Sequence, residues 1–295
     1  MIRLLAILGI LGISFSAIFV KEADVSPSTA AFFRNAYAAP VLFLVWMSIR
    51  GGDRRPAALR LMAVASGLFL ALDLTVWHRS IDLIGAGLAT VLANTQVVFV
   101  GLIAWVVLRE RPTRLAFLTI PVVFAGVVLI SGLGRADAFG DDPLAGVAFG
   151  VLAGAAYSGF LLIFRASNRE LAPVAGPLLD ATVGAAVGSL LASAADPDFS
   201  FAFSWPEHGW LLALALVSQV IGWLLIAAAL PRVPALETSV LLLLQPMLTV
   251  LWGLLLFSEY LSGLQWAGVV LVLGGVGVLT LRGSVERPST APAEP

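Results

Sequence analysis

The sequence predicts an all-α membrane protein of ten transmembrane helices arranged as two inverted five-helix repeats. Three observations carry that prediction. Apolar residues make up 60% of the 295-residue chain and charged residues 12%, against roughly 45–50% and 25% in soluble domains, which is more apolar surface than a soluble core uses. Ten mostly apolar runs reach the roughly 17–25 residues that a helix needs to cross a bilayer. Finally, the hairpin at 83–130 recurs without gaps 149 residues later, at 232–279. Ala86, Val91, Leu92, Gln96, Leu102, Glu110, Leu115, Gly126 and Val127 return as Ala235, Val240, Leu241, Gln245, Leu251, Glu259, Leu264, Gly275 and Val276. The pairs Gln96/Gln245 and Glu110/Glu259 weigh most, because glutamine and glutamate are scarce in this chain.

Each run has a polar boundary. The first, at 4–20, follows Arg3 and stops at Lys21; no small-x-small cleavage site precedes Lys21, so it reads as a helix and not as a signal peptide. The second, 28–49, carries Arg34 and ends at Arg50, and the third, 58–78, carries Asp73 and ends at Arg79. The fourth, 84–108, holds Gln96 and ends at Arg109 and Glu110, and Thr113 caps the fifth, 114–132. In the second half, 144–164 carries the small-residue stripe Gly146, Gly150, Gly154, Ser158, a pattern of close helix packing. Next come 174–195 with Asp180, 208–230 with Gln219 and Trp223, 235–257 with Gln245 and Pro246, and 263–281, capped by Ser262. Helices are required over barrel strands because each long continuous run must satisfy its own backbone hydrogen bonds in hydrocarbon.

Basic residues orient the chain. With the N-terminus inside, the inner connections hold thirteen (Arg3, Arg50, Arg54, Arg55, Arg60, Arg109, Arg111, Arg114, Arg165, Arg169, Arg232, Arg282, Arg287) and the outer ones three, Lys21, Arg79 and Arg135. That imbalance follows the positive-inside rule and puts both termini in the cytoplasm. Five helices per repeat is an odd number, so the halves, residues 1–136 and 137–282, insert upside down relative to each other. The polar, Pro-rich stretch 283–295 reads as a disordered cytoplasmic tail.

Several chemistries are set aside. The chain has no cysteine, and its two histidines make neither a thiolate site nor a zinc centre. Its one lysine, Lys21, follows Val20, so there is no Walker A loop for ATP, and neither HExxH nor GxSxG occurs. No cofactor, metal, nucleic acid or catalytic residue is expected. The expected partners are a small-molecule solute and the lipid bilayer, with the protein as a monomer.

Charges and amides inside the spans mark the candidate site, because an ionisable group in the bilayer faces a partner or a wet cavity. Arg34 and Asp73 lie at matching depth, so an ion pair between the second and third helices is expected. Ser66, Phe69, Asp73 and Trp77 share one face of the third helix, and Thr90, Asn94 and Gly101 one face of the fourth. Gln219 and Trp223 are one turn apart. Arg34, Asp73, Trp77, Asn94, Gln219 and Trp223 are therefore the candidate substrate-binding residues. Asp180, the inverted counterpart of Arg34, and Glu110 and Glu259, at the duplicated turns, are candidates for coupling or gating. Trp46, Trp105, Trp205, Trp210, Trp252 and Trp266, near helix ends, read as an interfacial belt.

The stretches ALDLTVWHRSIDLIGAGLATVLANTQVVFVGLIAWVVLRERPT and LETSVLLLLQPMLTVLWGLLLFSEYLSGLQWAGVVLVLGGVGVL resemble the two halves of EamA-type proteins of the drug/metabolite transporter superfamily. The resemblance covers residues 1–282. The family's frequent helix-4 proline is Val97 here, while its repeat mate Pro246 is present. The resemblance implies export of small metabolites from a bacterial inner membrane. With the inverted repeat, the expectation is a secondary transporter for amino acids or related amphiphilic solutes, working by alternating access. The alternatives are a channel or facilitator and an intramembrane enzyme.

Overall fold

The computed structural model describes residues 2–107, 114–131, 138–167, 173–229 and 235–283. Their helices, in chain order, are α1 (Ile2–Ser14), α2 (Ser16–Ala23), α3 (Pro27–Ile49), α4 (Ala57–Ala93), α5 (Gln96–Val107) and α6 (Arg114–Ile130). They continue with α7 (Pro143–Ser167), α8 (Ala175–Ala192), α9 (Glu207–Ala213), α10 (Trp223–Ala229), α11 (Ala235–Phe257) and α12 (Gly263–Gly283). A π-helical segment, Leu214–Gly222, joins α9 to α10. Among the described residues there is no strand, and six helical stretches are long and apolar enough to cross a membrane, with three shorter apolar helices beside them.

Local signals explain the start of α3. Ser26 accepts a hydrogen bond from Thr29 N at 3.3 Å and Pro27 opens the helix, so one orphan amide is satisfied and another does not exist. The connection expected at 79–83 does not form. Instead α4 continues through Arg79 and Asp82 and breaks at Gly85, at φ +80° and ψ 167°, a conformation open essentially to glycine alone. Polar residues need not end a helix whose backbone bonds are internal. A residue with no Cβ ends it here.

Helix α4 is the centre of the assembly, packed along α7 and α8 and against α11. Two sets of small residues permit this. On α7 a side chain at Gly146, Gly150 or Gly154 would run into Ile84, Leu92 or Thr95, so the predicted stripe is a packing surface for α4. On α8 Gly184 lies against the Val64 backbone, and Gly67 of α4 lies against the Ala181 carbonyl in return. The largest apolar cluster gathers Leu70, Ile81, Ile84, Leu88, Leu92 and Phe160 around this axis. Gln265 joins α12 to the far end of α6: its Oε1 accepts from Phe139 N at 2.8 Å and its Nε2 donates to Ile130 O at 3.3 Å.

Candidate functional site

Three helix interruptions lie among the buried residues, and two of them, the α1/α2 break and the π-helical segment, meet at one buried guanidinium. Between α1 and α2 the helix opens at Phe15, and the carbonyls of Gly12 and Ser14 accept from the hydroxyls of Ser218 (3.0 Å) and Thr249 (3.1 Å). Between α4 and α5 it opens at Asn94 and Thr95, against Gly154 of α7. The π-helical segment carries Ser218 and Gln219. Broken and π-helical turns leave backbone groups to be satisfied by side chains, and they recur at functional sites.

Arg34, 4% exposed, reaches into this junction from α3. Its Nε donates to Gln219 Oε1 at 2.9 Å and its Nη1 to Ser16 Oγ at 2.9 Å. Gln219 in turn donates through Nε2 to Thr182 Oγ1 of α8 at 3.3 Å. The ion pair expected between Arg34 and Asp73 is not formed within 4.0 Å. The guanidinium has five donors in a fixed fork, and the acceptors it uses lie on α2 and the π-helical segment, away from α4. Asp73 lies within electrostatic reach of Arg34 and of Tyr157 of α7. Among the described residues the Asp73 carboxylate has no hydrogen-bond partner.

The other predicted residues take varied places. Trp77, one turn beyond Asp73, is 7% exposed and packs in the core, with its Nε1 buried and without a hydrogen-bond partner among the described residues. Asn94 sits at the α4/α5 break and donates to Thr90 O at 2.8 Å. Trp223 meets Phe160 edge-on, ring centroids 6.1 Å apart, at the junction of three apolar clusters. Trp252, expected in the interfacial belt, instead stacks on Phe15 and donates to Ser14 Oγ at 3.0 Å, beside the α1/α2 break. Ser16, Thr182 and Tyr157 complete the cluster. Hydroxyls are common in this apolar sequence, so nothing in their spacing singles them out.

Both ends of the bundle carry ion pairs. At one end Glu259 is 3% exposed and its carboxylate accepts from Ala86 N (2.8 Å) and Gly87 N (3.1 Å), the first amides after the Gly85 break. A carboxylate there satisfies orphan donors and opposes the helix dipole. Lys21 Nζ lies 2.9 Å from the same carboxylate. Beside this end a cavity of about 310 Å³ is lined by Asp24, Ser26, Thr29, Asp198, Ser200 and His208. His208 donates through Nε2 to Ala202 O at 3.0 Å, so its Nδ1 accepts from Tyr37 Oη at 2.6 Å. At the opposite end Arg55 bridges Asp53 (2.9 Å) and Asp180 (2.8 Å), and Arg60 reaches Asp180 at 3.4 Å. The Arg55 guanidinium and the Trp46 indole hold the Asp53 carboxyl at a pKa of about 2, below the ordinary range. Asp180 thus meets arginines of the α3–α4 connection and α4. Glu110 lies outside the described residues.

Comparison with known proteins agrees with this architecture. A family model described as the EamA-like transporter family matches residues 1–132 and 144–281. An uncharacterized transporter of Archaeoglobus fulgidus is 28% identical over 277 residues, 91% of this chain and 94% of its own. The uncharacterized transporter YwfM of Bacillus subtilis is 27% identical over 213 residues, 71% of this chain and 69% of its own. A solved crystal structure aligns over 97% of this chain and 99% of its own, with a TM-score of 0.62 at 18% identity, a likeness of fold.

Proposed function

We propose that this chain, which belongs to the EamA-like transporter family, works as a secondary transporter that exports small metabolites by alternating access. Its membership and its apolar helices make it an integral membrane transporter; the solute, the direction and the mechanism are our reading. We read the helices as ten spans in two inverted repeats, residues 1–136 and 137–282. In that reading α1 with α2 is one span, the part of α4 after Gly85 joins α5, and α9, the π-helical segment and α10 form another. The two separate blocks of family match support it.

The observation that carries the solute class is a buried guanidinium at two helix breaks with an unpartnered carboxyl group within its electrostatic reach. Arg34 is buried and hydrogen-bonded to neutral acceptors, and a turn of α4 nearby presents the Asp73 carboxylate and the buried Trp77 indole N–H without protein partners among the described residues. Buried polar groups left over in this way call for a polar ligand. A zwitterion answers both groups: its carboxylate on Arg34, its ammonium on the Asp73 carboxyl, its apolar body against Trp77 and Trp223. Amino acids and related amphiphilic solutes have that form. Discontinuous helices around such a site are a recurrent plan of secondary transporters.

Asn94 and Gln219, at two of the breaks, would feel any change in how those helices bend. Glu259 and Asp180, at opposite ends, are gating groups in this scheme, and the repeat register makes Glu110 the counterpart of Glu259. Alternating access breaks one set of end contacts while the other holds. The purified chain in liposomes tests the reading. Saturable counterflow of an amino acid supports a carrier, non-saturable flux a channel, and chemical conversion of the solute an enzyme.

A further inference from the structure

Tyr157 of α7 packs against the largest apolar cluster, and the register of α7 on α4 sets its depth. The two helices run antiparallel: Ser80 Oγ donates to the Gly146 carbonyl at 2.8 Å, and further along a Cβ at Gly159 would meet the Phe69 ring. Tyr157 and Asp73 both fall between these contacts. At ~1.5 Å per residue, Tyr157 lies about 3 Å from the Gly159 contact and Asp73 about 6 Å from the Phe69 contact, so the two stand within about one helical turn of the same level. The Tyr157 ring stacks on Phe160, centroids 5.6 Å apart, and Phe160 meets Trp223 edge-on at 6.1 Å. Trp223 is one turn beyond Gln219, the acceptor for Arg34. One aromatic row therefore runs from the level of Asp73 to the Arg34 junction.

Packing explains the ring and leaves the hydroxyl over. Phenylalanine would stack on Phe160 as well, and a buried tyrosine ordinarily gives its hydroxyl a partner. Among the described residues the Tyr157 hydroxyl has no hydrogen bond, and neither has the Asp73 carboxyl, although each lies within electrostatic reach of the other and of Arg34. A primary ammonium brings three N–H donors to such a place, whereas a trimethylated nitrogen brings the same charge and none. The aromatic row favours either cation, so charge and apolar bulk alone do not separate them. We propose that the Tyr157 hydroxyl is a further solute-binding group, which accepts one N–H of the zwitterion's ammonium while Asp73 accepts another, and so selects primary amines over quaternary ones. The inference rests on the zwitterion reading of the site and narrows its substrate class.

Thermal midpoints of the purified full chain, titrated with leucine, phenylalanine and the N,N,N-trimethyl betaine of each, give the dissociation constants that test this. The parent chain should bind the better amino acid at least about tenfold more tightly than its betaine, the worth of a hydrogen bond to a charged group. Tyr157→Phe should weaken amino-acid binding about tenfold and leave betaine binding unchanged. Its ligand-free midpoint should stay in place, since no protein hydrogen bond is lost. Equal weakening of both ligands in Tyr157→Phe, or weakening of neither, overturns the proposal and leaves the zwitterion reading standing. A parent chain stabilised by none of the four compounds contradicts that reading itself, and this inference with it.

Discussion

Arg34 and Gln219 are 185 residues apart in sequence and joined by a 2.9 Å hydrogen bond from a guanidinium to an amide oxygen, in a site where both side chains are almost fully buried. The bond ties α3 to the π-helical segment, and so links the two halves of the chain. Gln219→Ala should cost roughly 1.5–3 kcal/mol, the worth of a hydrogen bond to a charged group. Arg34→Gln with Gln219→Ala should show coupling of about 0.5–3 kcal/mol in a thermal-stability cycle. The cycle of Arg34 with Asp73, which share no hydrogen bond and no ion pair within 4.0 Å, should show a smaller value. Equal coupling in the two cycles would mean that the hydrogen bond is not what joins them.

Gly85 and Glu259 form one device. Gly85→Ala should destabilise by roughly 1–3 kcal/mol, from its backbone conformation alone, and a Cβ there would also press on the Glu259 carboxylate. Glu259→Gln keeps an acceptor for the amides of Ala86 or Gly87 but loses the charge that Lys21 and the helix end favour. It should cost less than Glu259→Ala. Thermal midpoints in one detergent decide the order, and a neutral Gly85→Ala would place the break elsewhere.

Helix existence was legible in the sequence, and helix interruption was not. The apolar runs predict helices, because composition governs transfer into hydrocarbon, and among the described residues six helical stretches are long and apolar enough to cross a membrane. Gly85, Asn94 and the π-helical turn at Gln219 interrupt helices for reasons of tertiary fit, and the glycine, the amide and the hydroxyls there look like ordinary helix-packing residues. Arg34, Asp73 and Gln219 stood out as polar groups inside apolar runs. Their arrangement did not: depth along two helices suggested Arg34 with Asp73, but the direction of a side chain around its helix depends on neighbours 185 residues away. Lys21 with Glu259, 238 residues apart, was equally beyond reach.

Asp53 gives a prediction for acid. Its folded-state pKa of about 2 lies below the roughly 3.9 of an unfolded aspartate. Its contribution to stability is therefore complete above pH ~4 and lost as pH falls through about 2. Asp53→Asn should lower the thermal midpoint at neutral pH and flatten its decline between pH ~4 and ~2 relative to the parent chain. Parallel declines would show that Asp53 is not held by Arg55.

Topology can be read by labelling, since the chain has no native cysteine. Ser200 is exposed at the Glu259 end, and Gly51 is exposed at the Arg55 end with open space around it. In intact cells Ser200→Cys should react with an impermeant maleimide and Gly51→Cys should not. The opposite pattern would invert the assignment of the two ends.

Counterflow of a labelled zwitterionic amino acid into liposomes, with the parent chain and Arg34→Gln compared at equal folded protein, tests the central claim most directly. The solute would first be chosen by its power to raise the thermal midpoint. The account predicts saturable, trans-stimulated uptake by the parent chain and its loss in folded Arg34→Gln. Undiminished saturable counterflow in Arg34→Gln would contradict the placement of the solute at the Arg34 junction.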